Sequence, residues 1–307
     1  MKITMLSEID YAASGLKLCN AINRHTDHDI SLFTGHYHNK FKHPQSEHHT
    51  KRDIQRHIDQ SDIVHLKGDW PVREMYMNMK IMHKPIIVST SGSHFRKKEH
   101  GGHEYYGTHE YDSATIRTAF TPDLCYPEYS DTWTPHPINS VNQSIEWKCV
   151  PHPVLMHTPT RPEVKGTEFI KEVFSRVSKR MKIETVVLDN IPFKRIVEMR
   201  KDATIFFDQF KVGFYGNSAI EAMQYGIPTA AWISPLARQQ ANGALENCPV
   251  ISEVKSADAW ARKIEHVLDG DMMDLSIKTK LWCDSVHSYQ AVAKQWDNIY
   301  NAIALKT

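Results

Sequence analysis

Short apolar runs and segments of helical periodicity alternate along almost the whole chain. The apolar runs at Ile3–Leu6, Ile30–Phe33, Ile63–Leu66, Ile86–Ser89 and Thr118–Phe120 predict strands, and so do Val154–His157, Thr185–Leu188, Thr204–Phe207 and Thr229–Trp232. Each is too short and too continuously apolar for a half-exposed antiparallel strand, and fits a strand buried on both faces. Helical spacing is expected at Ser14–Arg24, Val72–Met82, Gly166–Lys179, Phe193–Arg200 and Ser218–Gln224, then at Ser256–Leu268 and Ser285–Ala304. Strands that alternate with helices in this way predict βαβ units and a parallel sheet covered on both sides.

One stretch breaks the alternation. Trp133–Pro153, "WTPHPINSVNQSIEWKCVPHP", is rich in proline and polar residues, and the strand–helix rhythm restarts at Val154. That composition suits a linker between two doubly wound domains. The expected division is 1–139, a linker at 140–152, a second domain at 153–284, and a last helical stretch at 285–307 that follows no further strand and is free to pack on the first domain. Gly35–His57 and His94–Ser113 look like inserted loops, the first basic and His-dense, the second basic and aromatic. Both follow ends of first-half strands, where open α/β sheets place their ligands. They read either as an acceptor site or lid, or as ordinary solvated loops.

Composition narrows the class only a little. The chain has 307 residues, 41% hydrophobic and 24% charged, which is the balance of a folded protein of about two domains. The formal net charge of +1 does not announce a nucleic-acid binder, and the 19 histidines make the real charge depend on pH near neutrality. Cys19, Cys125, Cys149, Cys248 and Cys283 are widely spaced with no CxxC, which argues against a disulfide framework or a structural zinc site. The opening "MKITMLSEID" enters a strand without the design of a secretory leader, and no apolar run approaches the length of a membrane span, so a cytoplasmic location is expected.

The familiar phosphate motifs are missing. No GxGxxG follows the first strand and no GxxxxGK[ST] occurs, which sets aside a dinucleotide-dependent dehydrogenase and a P-loop enzyme. The second half offers a different arrangement. In "VLMHTPTRPEVKGTEFI" a strand leads through a turn carrying Arg161 and Lys165 into a helix that opens at Gly166-Thr167. Two cations beside exposed helix amides suit a diphosphate, although cations in loops are more often simply solvated.

Together with "IPFKRIVEMRKDATIFFDQF" and "GFYGNSAIEAMQYGIPTAAW", that segment resembles the retaining glycosyltransferases of the two-Rossmann GT-B fold, near family 4. "TAFTPDLCYPEYSDTWTPHPIN" and "PIIVSTSGSHFR" resemble first-domain stretches of the same enzymes. The resemblance implies two Rossmann-like domains facing a cleft, with a nucleotide-diphosphate sugar as co-substrate and neither another cofactor nor a metal. It implies that Arg161 and Lys165 neutralise the donor diphosphate, with the first-domain loop at Gly15 approaching it, and that Asp189 and Asn190 border the base. Gln209, Tyr215, Gly216, Asn217 and Ser218 would lie along the sugar and nucleotide, and Glu221 would accept from the ribose hydroxyls as the second glutamate of an E-x7-E motif. His94 and Asp208 are its candidate catalytic groups, and Arg96, Lys97 and Lys98 lie on the acceptor side. Where the family often has its first glutamate, this chain has Gly213.

Two motifs have plainer readings. Ser218-Ala-Ile-Glu221 has the spacing of a helix capping box, S-x-x-E. Asp269-Gly-Asp271 is like a metal-binding DxD but falls between two helices, where a turn is expected. The implied reaction is retaining transfer of a sugar to an acceptor hydroxyl, with the leaving diphosphate helping to deprotonate that hydroxyl. A hydroxymethylated base in DNA, as for virus-type enzymes, and a lipid-linked or surface saccharide both stand as acceptors. A nucleotide-sugar-binding protein without transfer and a sugar-nucleotide epimerase are the alternatives of other classes.

Overall fold

The structure, a computed structural model, describes residues 1–36, 51–68, 81, 83–92, 114–125, 132–141, 145, 151–189, 191–241 and 243–305. Its contacts divide it into two units, Met1–Asn139 with Val286–Thr307 and Ser140–Ser285. Each is built on its own parallel sheet, the α/β class expected from the alternating pattern.

In the first unit the chain runs β1 (Lys2–Ile9), α1 (Ser14–His25), β2 (Asp29–His36), α2 (Lys51–Gln60), β3 (Ile63–Gly68), β4 (Ile86–Thr90), β5 (Ile116–Ala119) and β6 (Thr132–Trp133). The sheet order is β2-β1-β3-β4-β5-β6 with every pairing parallel. Helix α2 overlaps the segment expected as an inserted loop. Its Ile54 and Ile58 are buried while Asp53, Arg56 and His57 are exposed, an i, i+4 stripe that the surrounding charge hides from a composition-based reading. The short β6, not expected as a strand, ends at Trp133, where the proline-rich stretch begins.

The second unit runs β7 (Val154–His157), α3 (Pro162–Lys165), α4 (Thr167–Ser178), β8 (Glu184–Val187), α5 (Phe193–Arg200), β9 (Ile205–Phe207), α6 (Asn217–Met223), β10 (Thr229–Ala230), α7 (Pro235–Gln240), α8 (Ala257–Leu268) and α9 (Met272–His287). Its strand order is β10-β9-β7-β8, again all parallel. Alternation along β9 sorts its side chains between two layers. Ile205 and Phe207 enter a core with Ile170, Val173, Phe174, Trp260 and Ile264 of α4 and α8. Phe206 points the other way, to Met156, Ala222 and Ile227.

Helix α10 (Tyr289–Ala304) follows α9 after Ser288, whose hydroxyl accepts the Ala291 amide as an N-cap. The helix expected as one piece from Ser285 is therefore two helices meeting at that cap. Val292, Trp296, Tyr300 and Ile303 of α10 complete the first-unit core with Ile3, Met5, Leu18, Ile22 and Ile63. The returning chain is tied down by a hydrogen bond from the Ile138 amide to the His287 carbonyl (2.7 Å) and one from the Tyr289 amide back to Ile138 (3.1 Å). Among the described residues no helix is long and apolar enough to cross a membrane.

Candidate functional site

Ligands of open parallel sheets gather at the carboxyl ends of the strands, and in the second unit those ends carry an organised polar cluster. Strand β7 ends at His157. Its Nδ1 lies 2.8 Å from the Phe207 carbonyl at the end of β9, and its Nε2 2.9 Å from Thr167 Oγ1 at the start of α4. A carbonyl can only accept, so Nδ1 carries the proton and Nε2 accepts from the threonine hydroxyl. Burial pushes this imidazole down to about 4, so it is neutral at neutral pH. His157 thus ties together two strand ends and the first turn of α4.

After β7 the turn passes Thr158 and reaches Arg161, which precedes the one-turn helix α3 and is exposed. Among the described residues the Arg161 guanidinium has no hydrogen-bond or ion-pair partner. Gly166 then takes a left-handed conformation (φ 77°), closing α3 and opening α4 as anticipated from Gly166-Thr167. Lys165 is the last residue of α3, and its backbone carbonyl accepts the Phe210 amide (2.9 Å). This bond sets α3 against the loop that follows β9.

The Lys165 ammonium lies 2.5 Å from Asp208 Oδ1, and the other carboxylate oxygen accepts the Gly216 amide at 2.5 Å. The Asp208 side chain is 1% exposed and that of Lys165 11%. One buried carboxylate therefore fixes a cation from the β7 turn and the backbone at the head of α6. A Cβ at Gly216 would stand 3.4 Å from both Asp208 Oδ2 and Lys165 Nζ, in van der Waals contact with the pair. The Gln209 side-chain amide donates to the Phe214 carbonyl, and the Gly213 carbonyl accepts the Ser234 amide (2.9 Å). The 208–216 loop is thus pinned along its length. Helix α6 starts beyond it with Gly216 as N-cap and no side-chain cap. Among the described residues the Asn217 and Ser218 amides have no hydrogen-bond partner, and both residues are half-buried.

Glu221 does not close a capping box with Ser218, because the N-cap is Gly216, two residues before the serine that the motif requires there. Its carboxylate is buried and paired with Arg200, Nη1 to Oε2 at 2.6 Å. Tyr215 turns inward: its ring stacks on Phe214, its hydroxyl accepts from Trp282 Nε1 (3.3 Å), and burial raises its pKa well above the usual phenol value. Asp189 is exposed just beyond β8. Asn190, His94, Arg96, Lys97 and Lys98 lie outside the described residues.

The structure therefore brings Lys165, Asp208, Gln209, Gly216, Asn217 and Ser218 together at the carboxyl ends of the central strands β7 and β9. Gly15 belongs to the first unit and has a local task. Asp10 accepts the Gly15 amide (2.7 Å) and the Leu16 amide (3.0 Å), closing the N-terminus of α1, and pairs with Lys67 (3.0 Å). A Gly15 Cβ would stand 3.0 Å from Asp10 Oδ1 and 3.1 Å from Lys67 Cδ. That geometry accounts for the Gly15 amide within the first unit. Asp269 and Asp271 sit in an exposed interhelical turn, where Asp271 Oδ1 caps α9 at the Asp274 amide (2.9 Å).

His157, Thr158 and Arg200 were not singled out from sequence. The signal for Arg200 was weak, because an arginine in the last turn of a helix ordinarily faces solvent and the helix dipole.

No protein-family model matches the sequence, and no curated protein is similar to it. Solved structures do share its fold. An α-glucosyltransferase in complex with UDP-glucose and DNA containing an abasic site superposes with a TM-score of 0.67 at 11% identity, over 97% of this chain and 99% of that one. Anabaena Alr3699/HepE in complex with UDP and glucose gives 0.68 at 11% identity, over 98% and 100%. The sucrose-phosphate synthase of Thermosynechococcus elongatus gives 0.64 at 11%, over 100% of both. The fold is that of the GT-B glycosyltransferases.

Proposed function

We propose that the protein is a retaining glycosyltransferase that takes its sugar from a nucleotide-diphosphate donor, with UDP as the first nucleotide to test. The observation that carries this reading is the meeting of Lys165, the Gly216 backbone and the open first amides of α6 at the strand ends of the second sheet. UDP or UDP-glucose bound in solved structures of this fold supports the choice of nucleotide. In the proposed reaction the bond between the anomeric carbon and the diphosphate oxygen breaks. The acceptor oxygen bonds to the same face, and its proton passes to the departing diphosphate. Lys165 and Arg161 offset the charge that grows on that diphosphate, each charge-assisted bond contributing roughly 1.5–3 kcal/mol.

Within this proposal Asp208 is a positioning residue, because its carboxylate is taken by Lys165 and Gly216. Gln209 likewise shapes the loop, and Asn217 and Ser218 offer amides to a phosphate or sugar oxygen. Glu221 accepts from the ribose and Asp189 with Asn190 borders the base. His94 remains the proposed group near the transferred sugar. The cationic clamp makes the reaction independent of added metal.

The acceptor proposed for first trial is a hydroxymethylated base in DNA. Two solved structures of the fold are α-glucosyltransferases holding DNA, one with an HMU base. The loop cations Arg96, Lys97 and Lys98 give this chain a means of holding a phosphate backbone. Such an enzyme must reach or extrude the base and lose activity steeply with salt. Incubation of the protein with UDP-glucose and hydroxymethylated or plain duplexes, read by mass spectrometry of nucleosides, tests this directly. A hexose added only to the modified base supports it. Transfer to saccharide acceptors alone replaces DNA with a saccharide, and tight donor binding with no turnover favours a binding protein, the reading that Gly213 motivates.

A further inference from the structure

A buried arginine deserves an explanation that the diphosphate clamp does not supply. Arg200 is the last residue of α5, yet its side chain is 4% exposed. Its guanidinium reaches two elements at once: Nη1 donates to Glu221 Oε2 (2.6 Å) on α6, and Nη2 to Thr158 Oγ1 (3.3 Å) just past β7. Its flat face lies 5.1 Å from the Phe206 ring centroid, against the apolar layer beneath the sheet. A buried ion pair is poor material for stability, since an apolar pair of similar volume commonly serves as well or better. Its advantage is fixed geometry: the planar fork holds a carboxylate in one orientation.

We propose that Arg200 is a positioning residue that orients the Glu221 carboxylate toward the ribose hydroxyls and so makes the site select ribonucleotides over deoxyribonucleotides. The inference rests on the reading of the second unit as a nucleotide-sugar site. Thr158 belongs to the same turn that presents Arg161 and Lys165. Through Arg200 the group that meets the ribose and the groups that meet the diphosphate are therefore set on one frame. A site that recognises both ends of a nucleoside diphosphate needs that distance held.

The test compares dissociation constants for UDP and 2′,3′-dideoxyuridine 5′-diphosphate by titration calorimetry. The wild-type protein is expected to prefer UDP at least tenfold. Arg200→Lys keeps the charge but cannot reach both partners in a planar fork, and should reduce the preference to about threefold or less. Thr158→Val removes only the second anchor and should lower the preference in the same direction, which keeps the test open if the lysine variant folds poorly. The double variant Arg200→Met/Glu221→Gln leaves neither charge buried alone and should bring the preference near one. A merely structural arginine would weaken both ligands equally, so an unchanged ratio in Arg200→Lys and Thr158→Val overturns the inference. Equal binding of the two ligands by the wild type does so as well. Failure of the wild type to bind UDP at all overturns the nucleotide-site reading, and this inference with it.

Discussion

Asp208 gives the sharpest test of the proposed donor site, because two physical effects predict opposite signs. A carboxylate beside a diphosphate repels it, so removing the charge in Asp208→Asn should tighten UDP binding if Coulomb repulsion is all that matters. The structure argues for the reverse. Both oxygens accept, one from the Lys165 ammonium and one from the Gly216 amide, each at 2.5 Å. An asparagine must turn its NH₂ toward one of these two donors, and so loses one charge-assisted bond and weakens the other. Loss of such a bond costs roughly 1.5–3 kcal/mol, and breaking a buried pair as a whole roughly 3–5 kcal/mol. Part of that cost falls on folding: for a unit of about 150 residues, 2–4 °C of Tm per kcal/mol makes a loss of about 5–10 °C reasonable. The remainder falls on binding, where a free Lys165 and a loosened Gly216 backbone should weaken UDP about tenfold, or about 1.4 kcal/mol. Calorimetric titration of UDP at a temperature where the variant is folded separates the two. A folded Asp208→Asn protein that binds UDP more tightly than wild type would refute the positioning role.

Other expectations follow from the same geometry. Gly216→Ala should lower UDP affinity several-fold with little change in Tm, because its Cβ fits without a clash, 3.4 Å from Lys165 Nζ, yet adds a methyl group where the proposed diphosphate meets that lysine. Gly15→Ala should do the opposite, lowering Tm through roughly 1–3 kcal/mol of destabilisation by overpacking while leaving UDP affinity unchanged; lost affinity at unchanged Tm would support a phosphate role for this loop. Burial depresses His157 and His287 to about 4 and His65 to about 3, against about 6.5 in the unfolded chain. Only the unfolded state then takes up protons in that interval, so stability is fully present above pH 6.5 and falls as the pH drops toward 4. Chemical denaturation across that range should show the loss, and His157→Asn should flatten its slope. Transfer activity, once an acceptor is found, should survive EDTA.

The central strands were legible because burial on both faces leaves an uninterrupted apolar signature, and β9, Ile-Phe-Phe, is its simplest case, whereas the edge strand β8 is largely exposed and was marked only by its β-branched Thr-Val-Val run. Helix α2 was not legible: only Ile54 and Ile58 mark its inner face among charged neighbours. The two-residue strand β6 carries too few positions for any periodicity. Within the candidate site, Lys165 and Gly216 could be found because a cation and a glycine next to helix starts have recognisable spacing. Arg200 could not, since its partners Thr158 and Glu221 lie far from it in sequence and meet it only when β7 and α6 are packed. The meaning of Asp208 was hidden in the same way, because a residue directly after a strand can face a ligand or its own loop, and only the fold decides.

That decision bears on Gly213. The position eight residues before Glu221, where a glutamate of the E-x7-E pattern would stand, is here a buried glycine whose carbonyl accepts the Ser234 amide at 2.9 Å. The acidic group nearest the head of α6 comes instead from Asp208, at the end of β9, and it is satisfied internally. What this loop then has to offer a ligand is backbone: the Asn217 and Ser218 amides, which have no partner among the described residues. Amides donate where a carboxylate accepts. A sugar held by them must present acceptor oxygens, which a glycosyl phosphate has in abundance and a free sugar hydroxyl has only secondarily. Donor recognition at these strand ends should therefore depend chiefly on the diphosphate and its glycosidic oxygen, and little on the identity of the sugar. Competition of UDP-glucose, UDP-galactose and UDP-N-acetylglucosamine against UDP should give dissociation constants within about a factor of ten, 1.4 kcal/mol, of one another. A preference of several hundredfold for one sugar would mean that side chains outside this loop read the hydroxyls.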